Sequence, residues 1–323
     1  MASFTGTPKI AVVGSDHAHT LEMNRTCRSI TFEYTVRSFD EVQRQVLEGR
    51  PPDACEFSLA NYVVLRDRGW TSGQAIPVFP LRGFRHASVY VRSDSALESL
   101  SDLSGRRLAV AEYVSTGVVW LRGILNEHYG VHWSNIRWYS SDEHFPVPKG
   151  VAHARLAQNP VTALLTGDVD AILASRRPKL PENEGSPGVL RRLLRDPHQA
   201  ERDYLLSTGI YPIAHVVVLR SNLLAEIPEL AGAAFEAFVR AKRRAYERRL
   251  GDTLLPWSDL LWDTAEKLFD GDPMRYGLDA RNRMIIAKLC EYLREQQLID
   301  HETEDVGVLF VPESVVLLED QIP

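Results

Sequence analysis

The chain has 323 residues, 37 Lys and Arg against 43 Asp and Glu, a formal charge of −6 and a hydrophobic fraction of 44%. This composition excludes a disordered, coiled-coil or collagen-like chain, and the acidic balance excludes a general nucleic-acid binder, which needs a basic surface to displace counterions. The first 19 residues hold only a five-residue apolar run, and no run approaches the roughly 18 residues of a membrane span, so a cytoplasmic protein with no membrane contact is expected. Cys27, Cys55 and Cys290 are odd in number and scattered, which predicts buried small hydrophobes rather than disulfides or a zinc ribbon.

In chain order, KIAVVG predicts a first strand, followed by the polar, His-rich turn Ser15–Thr20. ITFEYTVRSF alternates as a second strand, and a helix is predicted from Asp40 to about Gly49. DACEFSL reads as a third strand and ANYVVLRDRGW as a helix; AIPVFPLRGF then leads into the strand HASVYVRS. The segment from Ser95 to Val131 predicts a short helix, a glycine turn, a strand and a second helix, with Ser115 or Thr116 at the N-cap position. NIRWYSSD predicts a strand, NPVTALLTGD a helix, and VDAILASRRP a strand before a Pro-rich stretch. LRRLLRDPHQAERDYLLSTGIYP predicts a helix and loop, IAHVVVLRS an apolar strand, and the remainder from Ile227 is mainly helical.

Strands alternating with helices predict an α/β fold with mostly parallel sheets. HASVYVRS and IAHVVVLRS flank a self-contained middle block, which predicts two lobes joined by two crossing strands. The expected division is 1–92 for the first part of lobe one, 93–212 for lobe two, and 213–323 for the return to lobe one. A ligand is expected in a cleft between such lobes.

The densest cationic group is Arg82-Gly83-Phe84-Arg85-His86. Arg pairs bidentately with carboxylates and His titrates near neutral pH, so the group suits a carboxylated substrate that needs a proton. Asp16, His17 and His19 follow the first strand, where ligands of open α/β sheets sit, and could hold a metal or act as an acid–base pair. Tyr113, Ser115 and Thr116 lie at a strand-to-helix junction whose free N–H groups suit an anion. His215 lies inside an apolar strand, where a satisfied core residue is the competing reading; Glu56 and Ser58 end one strand and Arg176 another. The remaining histidines, His128, His132, His144, His153, His198 and His301, are expected at the surface of helices or loops.

EFSLANY (56–62), AIPVFPLRGFRH (75–86), DLSGRRLAVAEYVSTGVVWLRGIL (102–125), GDVDAILASRRP (167–178) and TGIYPIAHVVVLR (208–220) together resemble the 4,5-dihydroxyphthalate decarboxylase family, in order and spacing. That resemblance implies the two-lobed fold of type II periplasmic solute-binding proteins and cofactor-independent decarboxylation of a hydroxylated aromatic dicarboxylic acid. It implies no organic cofactor, leaves a divalent metal and homo-oligomer formation open, and makes a small aromatic carboxylate the partner. Under it, Arg82 and Arg85 would fix carboxylates, and His86 or His19 would protonate the ring carbon. His215, Asp16 or Glu56 would polarise ring hydroxyls, and Thr116 with the helix start would hold a second carboxylate. Two alternatives stand beside this: another lyase on the same scaffold, or a binding protein without turnover.

Overall fold

The computed structural model describes residues 6–12, 26–142, 144–180, 189–249 and 257–312. By contact density the chain forms two compact units. The first comprises Met1–Arg82, Ile213–Ile286 and Glu304–Pro323; the second comprises Gly83–Pro212 and Ala287–Thr303.

The first unit is built on a five-stranded sheet in the order β4-β1-β5-β13-β6, from β1 (Lys9–Val12), β4 (Glu33–Val36), β5 (Ala54–Ser58), β6 (Gly73–Ile76) and β13 (His215–Arg220). β1 pairs parallel with β4 and β5, while β13 runs antiparallel to both β5 and β6. The single strand expected over 30–39 is instead β3 (Ile30–Thr31) and β4, because β3 folds back on β2 (Thr26–Cys27). Arg28 and Ser29 both have positive φ in that hairpin, the twist a two-residue turn requires. Helix α1 (Phe39–Leu47) starts at Ser38, whose side chain accepts a hydrogen bond from the Glu41 N–H. All five residues of β5 are buried, and the chain turns straight into α2 (Leu59–Asp67) with Ser58 as N-cap. Helices α6 (Ser221–Glu226), α7 (Leu230–Arg249) and α8 (Ser258–Phe269) follow β13. The run Ala231–Val239 of α7 is buried, so this helix has a broad apolar face rather than a stripe.

The second unit carries a six-stranded sheet in the order β10-β9-β8-β11-β7-β12. Its strands are β7 (Val89–Arg92), β8 (Arg107–Glu112), β9 (Arg137–Asp142), β10 (His153–Arg155), β11 (Ala171–Leu173) and β12 (Leu190–Arg192). β8, β9, β10 and β11 pair in parallel, and β7 is antiparallel to β11 and β12. Helices α3 (Thr116–Tyr129), α4 (Pro160–Thr166) and α5 (Pro197–Thr208) connect them. Asn159 and Asp196 cap α4 and α5, each with Pro in the first turn.

Two boundaries differ from expectation. β7 was expected to close the first lobe, but its ladder partners are β11 and β12, so the division lies at Arg82/Gly83. The C-terminal return is also interrupted, because helix α9 (Ala280–Glu295) passes from one unit to the other at Ile286/Ala287. β10 and β12 are strands that the sequence reading left as loop or helix; both are three-residue edge strands, too short for an alternating pattern to show. Among the described residues no helix is long and apolar enough to cross a membrane. The three cysteines are free and buried as read, and burial raises all three thiols, Cys55 to about 12 and Cys290 to about 11.

Candidate functional site

In the first unit, Glu56 is the middle residue of β5, the central strand of the sheet, and only 3% of it is exposed. A carboxylate so placed needs a partner, since burying an unpaired charge is costly. The antiparallel register sets His215 opposite Ser58, at the carboxyl end of β5, and His215 Nδ1 lies 2.7 Å from Glu56 Oε1. Phe39, the first residue of α1, stacks on the imidazole with centroids 4.8 Å apart and planes 11° from parallel. The carboxylate and the phenyl ring fix the imidazole's orientation and leave Nε2 as the nitrogen able to pass a proton. His215 is therefore not a lone core histidine; its side chain keeps 14% exposure. Ser58 is buried and engaged in capping α2, accepting from the Asn61 N–H.

Arg82 belongs to the same unit. Its Nη2 donates to the Arg275 carbonyl and to Asn282 Oδ1, each at 2.7 Å, and Asn282 Nδ2 in turn donates to the carbonyls of Arg275 and Gly277. This guanidinium fastens the 275–282 segment to the strand region, a structural engagement where the sequence suggested a carboxylate anchor.

In the second unit, Arg85 lies against the first turn of α3. A β-carbon built on Gly117 would sit 3.3 Å from Arg85 Cζ and 3.4 Å from Nε, so glycine is what admits the guanidinium this close. Arg85 is 5% exposed, its Nε has no hydrogen-bonding partner, and no carboxylate among the described residues forms an ion pair with it. Burial holds its pKa well below the guanidinium range, at about 10, with Tyr211 and Glu201 opposing. Ser115 is the N-cap but makes no side-chain capping bond, and the Val118 and Val119 N–H groups both turn back to its carbonyl. A buried cation beside the positive end of a helix is unfavourable unless an anion joins them. The chemistry of the pair suits a carboxylate. Phe84, next to Arg85 in the chain, packs on Tyr211 with centroids 4.8 Å apart.

His86 follows Arg85 in a three-residue turn before β7 and is 1% exposed. Its ring sits between Tyr204 and Tyr129, and its Nδ1 has no partner. Burial, assisted by His128, lowers its pKa to about 4, so at neutral pH the ring is the neutral imidazole rather than the more acidic imidazolium. Tyr113 is a core residue, under the Arg122 guanidinium at 4.0 Å and edge-on to Trp138. Thr116 is buried, Ser115 is half-buried, and Arg176 is exposed on the turn after β11. His153 departs from its expected surface position: it lies on β10, half-buried, with Nε2 2.8 Å from Ser140 Oγ and its ring edge-on to Tyr113. Asp16, His17 and His19 lie outside the described residues. Among the described residues no group of three or more His, Cys, Asp or Glu is arranged to hold a metal ion.

The sequence reading did not single out Phe39, Tyr211 or Arg122. Arg122 carried a signal, a charge inside the apolar helical run VVWLRGIL; the other two are aromatic residues among many.

No family model matches the chain. It is 34% identical over 250 residues to a 4,5-dihydroxyphthalate decarboxylase of Comamonas testosteroni, a match covering 72% of this chain and 74% of that protein. It is 35% identical over 163 residues to a 4,5-dihydroxyphthalate decarboxylase of Pseudomonas putida, covering 47% and 62% respectively. Among solved structures, the periplasmic aliphatic sulphonate binding protein SsuA of Escherichia coli matches over 92% of this chain and 94% of its own, with a TM-score of 0.56 at 12% identity. The chain thus has the two-lobed α/β fold of type II solute-binding proteins.

Proposed function

The chain belongs to the 4,5-dihydroxyphthalate decarboxylase family, a group of carboxy-lyases, and from that premise we propose that it decarboxylates a hydroxylated aromatic dicarboxylate such as 4,5-dihydroxyphthalate. The observation that supports this best is the Glu56–His215 pair of the first unit, a positioned proton carrier. Taken by itself, the second unit sets Arg85, buried and without an ion pair among the described residues, against the first turn of α3, a setting that suits a carboxylate.

In this reading His215 Nε2 delivers a proton to the ring carbon bearing the departing carboxylate, with the ring hydroxyl supplying electron density. Arg85 is read as a carboxylate-binding side chain within the second unit. The bond to the carboxyl carbon then breaks; its electron pair restores the aromatic ring, CO₂ departs, and His215 regains a proton from solvent. Atoms and charge balance with one proton consumed per CO₂ released. The protonation role, expected of His86 or His19, is assigned here to His215, because His86 is neutral and enclosed, His19 lies outside the described residues, and His215 is oriented by a carboxylate. No organic cofactor enters this scheme.

The test is product analysis of the purified chain with 4,5-dihydroxyphthalate and related hydroxyphthalates. Stoichiometric CO₂ and the monocarboxylic phenol are expected. Loss of water or isomerisation instead of CO₂ would assign a different lyase. Tight calorimetric binding with no product over hours would assign a binding protein.

A further inference from the structure

Arg122 is the seventh residue of α3 and is completely buried, yet no carboxylate among the described residues pairs with it. Its Nε donates to Gln296 Oε1 at 2.6 Å, its Nη1 to the Tyr113 carbonyl at 3.0 Å, and its Nη2 has no partner. The guanidinium lies 4.0 Å from the Tyr113 ring centroid and 5.4 Å from that of Trp138. Gln296, 1% exposed, also donates through Nε2 to the Val119 carbonyl of α3. Burial depresses the Arg122 pKa to about 10.

This arrangement costs stability, because a full charge is held in the core on neutral acceptors alone. A packed apolar side chain would fill the same volume without that penalty. What the arrangement secures is the turn from Tyr113 to Ser115, which launches α3: one end of the guanidinium ties down the Tyr113 carbonyl, the other is anchored through Gln296. It also adds a second buried positive charge to the helix whose first turn receives Arg85.

We propose that Arg122, held by Gln296, is a positioning residue for the anion subsite, fixing the turn before α3 and contributing its charge to the affinity for a carboxylate it does not touch. The proposal rests on the reading of Arg85 and the start of α3 as that subsite. It gives a role to the 287–303 segment, which brings Gln296 to the second unit from nearly the end of the chain.

The experiment is calorimetry on the full chain with two probes, phthalate and inorganic sulfate, accompanied by thermal melts. Arg122→Gln keeps hydrogen-bonding capacity and removes the charge; it should weaken both probes about tenfold, within the range for coupled neighbours. Arg122→Lys keeps the charge and should stay within about threefold of the native chain. Gln296→Glu gives Arg122 a counter-ion in place, at the loss of the Nε2 bond to the Val119 carbonyl, so it should weaken both probes severalfold whatever its melting temperature. A residue that merely supports the fold would leave affinity untouched in the variants that remain folded. Binding within twofold of native in both Arg122→Gln and Gln296→Glu overturns the proposal, as does equal loss in Arg122→Lys and Arg122→Gln. If the native chain binds sulfate but not phthalate, the dicarboxylate reading falls and Arg122 is judged on sulfate. If it binds neither, both fall.

Discussion

Replacing Arg85 by Met should make the unliganded protein more stable and at the same time a much poorer binder of phthalate. Met fills most of the space along the aliphatic stem and carries no charge. In the native fold, burial disfavours the charged guanidinium, lowering its pKa to about 10. A shift of that size is worth about 3 kcal/mol against folding, an upper figure before the packing loss of a shorter side chain is subtracted. The sign follows from the direction: the penalty applies wherever the guanidinium is protonated, so it is fully present at pH 7 and relieved only above about pH 10. A net gain of about 1–2 kcal/mol raises the midpoint of a chain this size by a few degrees. The bound state reverses the balance, because removing one side of a buried charge pair costs about 2–5 kcal/mol, or at least about 30-fold in affinity. Scanning calorimetry of the unliganded variant and titration with phthalate give the two numbers. An Arg85→Met protein that melts lower than native and binds phthalate as well would refute the anion-receptor reading, because an ordinary structural arginine behaves that way.

Other consequences can be checked separately. His215→Gln and Glu56→Gln should each reduce CO₂ release from the accepted hydroxyphthalate by about a hundredfold or more, with binding little changed; unaltered turnover in both would remove the pair from the mechanism. Gly123→Ala would place a β-carbon 2.2 Å from Tyr292 Cε2, in a buried contact also packed on Trp120, and should lose about 2 kcal/mol or more in urea melts. His86 has its pKa lowered to about 4, so the unfolded chain binds the extra proton and stability falls as pH drops from about 6.5 toward 4. His86→Phe should remove about 2 kcal/mol of the stability difference between pH 7.5 and pH 5, and an unchanged difference would contradict the buried, neutral assignment. Cys55 and Cys290, buried with thiols raised to about 12 and 11, should react with a thiol reagent only after denaturation.

The architecture was readable because the alternation of apolar and polar residues changes period where strands give way to helices, and Ser115 stands at a helix start although its side chain makes no capping bond. What failed was the assignment of short edge pieces and of β7. A four-residue strand such as VYVR carries the same pattern in either sheet, and only its ladder with β11 and β12 decides which unit owns it. The site divides along the same line. Glu56, His215, Arg85 and Thr116 were visible as unusual residues at strand ends and helix starts. Their partnerships were not, since Glu56 and His215 are 159 residues apart and meet only through an antiparallel register.

The contrast between the two histidines shows why pairing decides chemistry where residue type cannot. By sequence, His86 beside two arginines is the stronger proton donor and His215 inside IAHVVVL is the weaker. The structure inverts their environments. The neighbours that made His86 attractive do not reach its ring: Arg85 lies against Gly117, and the imidazole is left among tyrosines with its Nδ1 unpartnered. The apolar strand that made His215 look inert carries it to the end of β5, where the buried Glu56 and the face of Phe39 set its orientation. A carboxylate inside a central strand is costly unless something compensates it, and His215 is its compensation. On the proposed reading that cost is borne for proton transfer rather than for packing. Replacing Glu56 and His215 together by a volume-matched apolar pair should therefore leave the fold as stable as native or more so, while abolishing CO₂ release. A marked fall in stability in that double variant would make the pair structural.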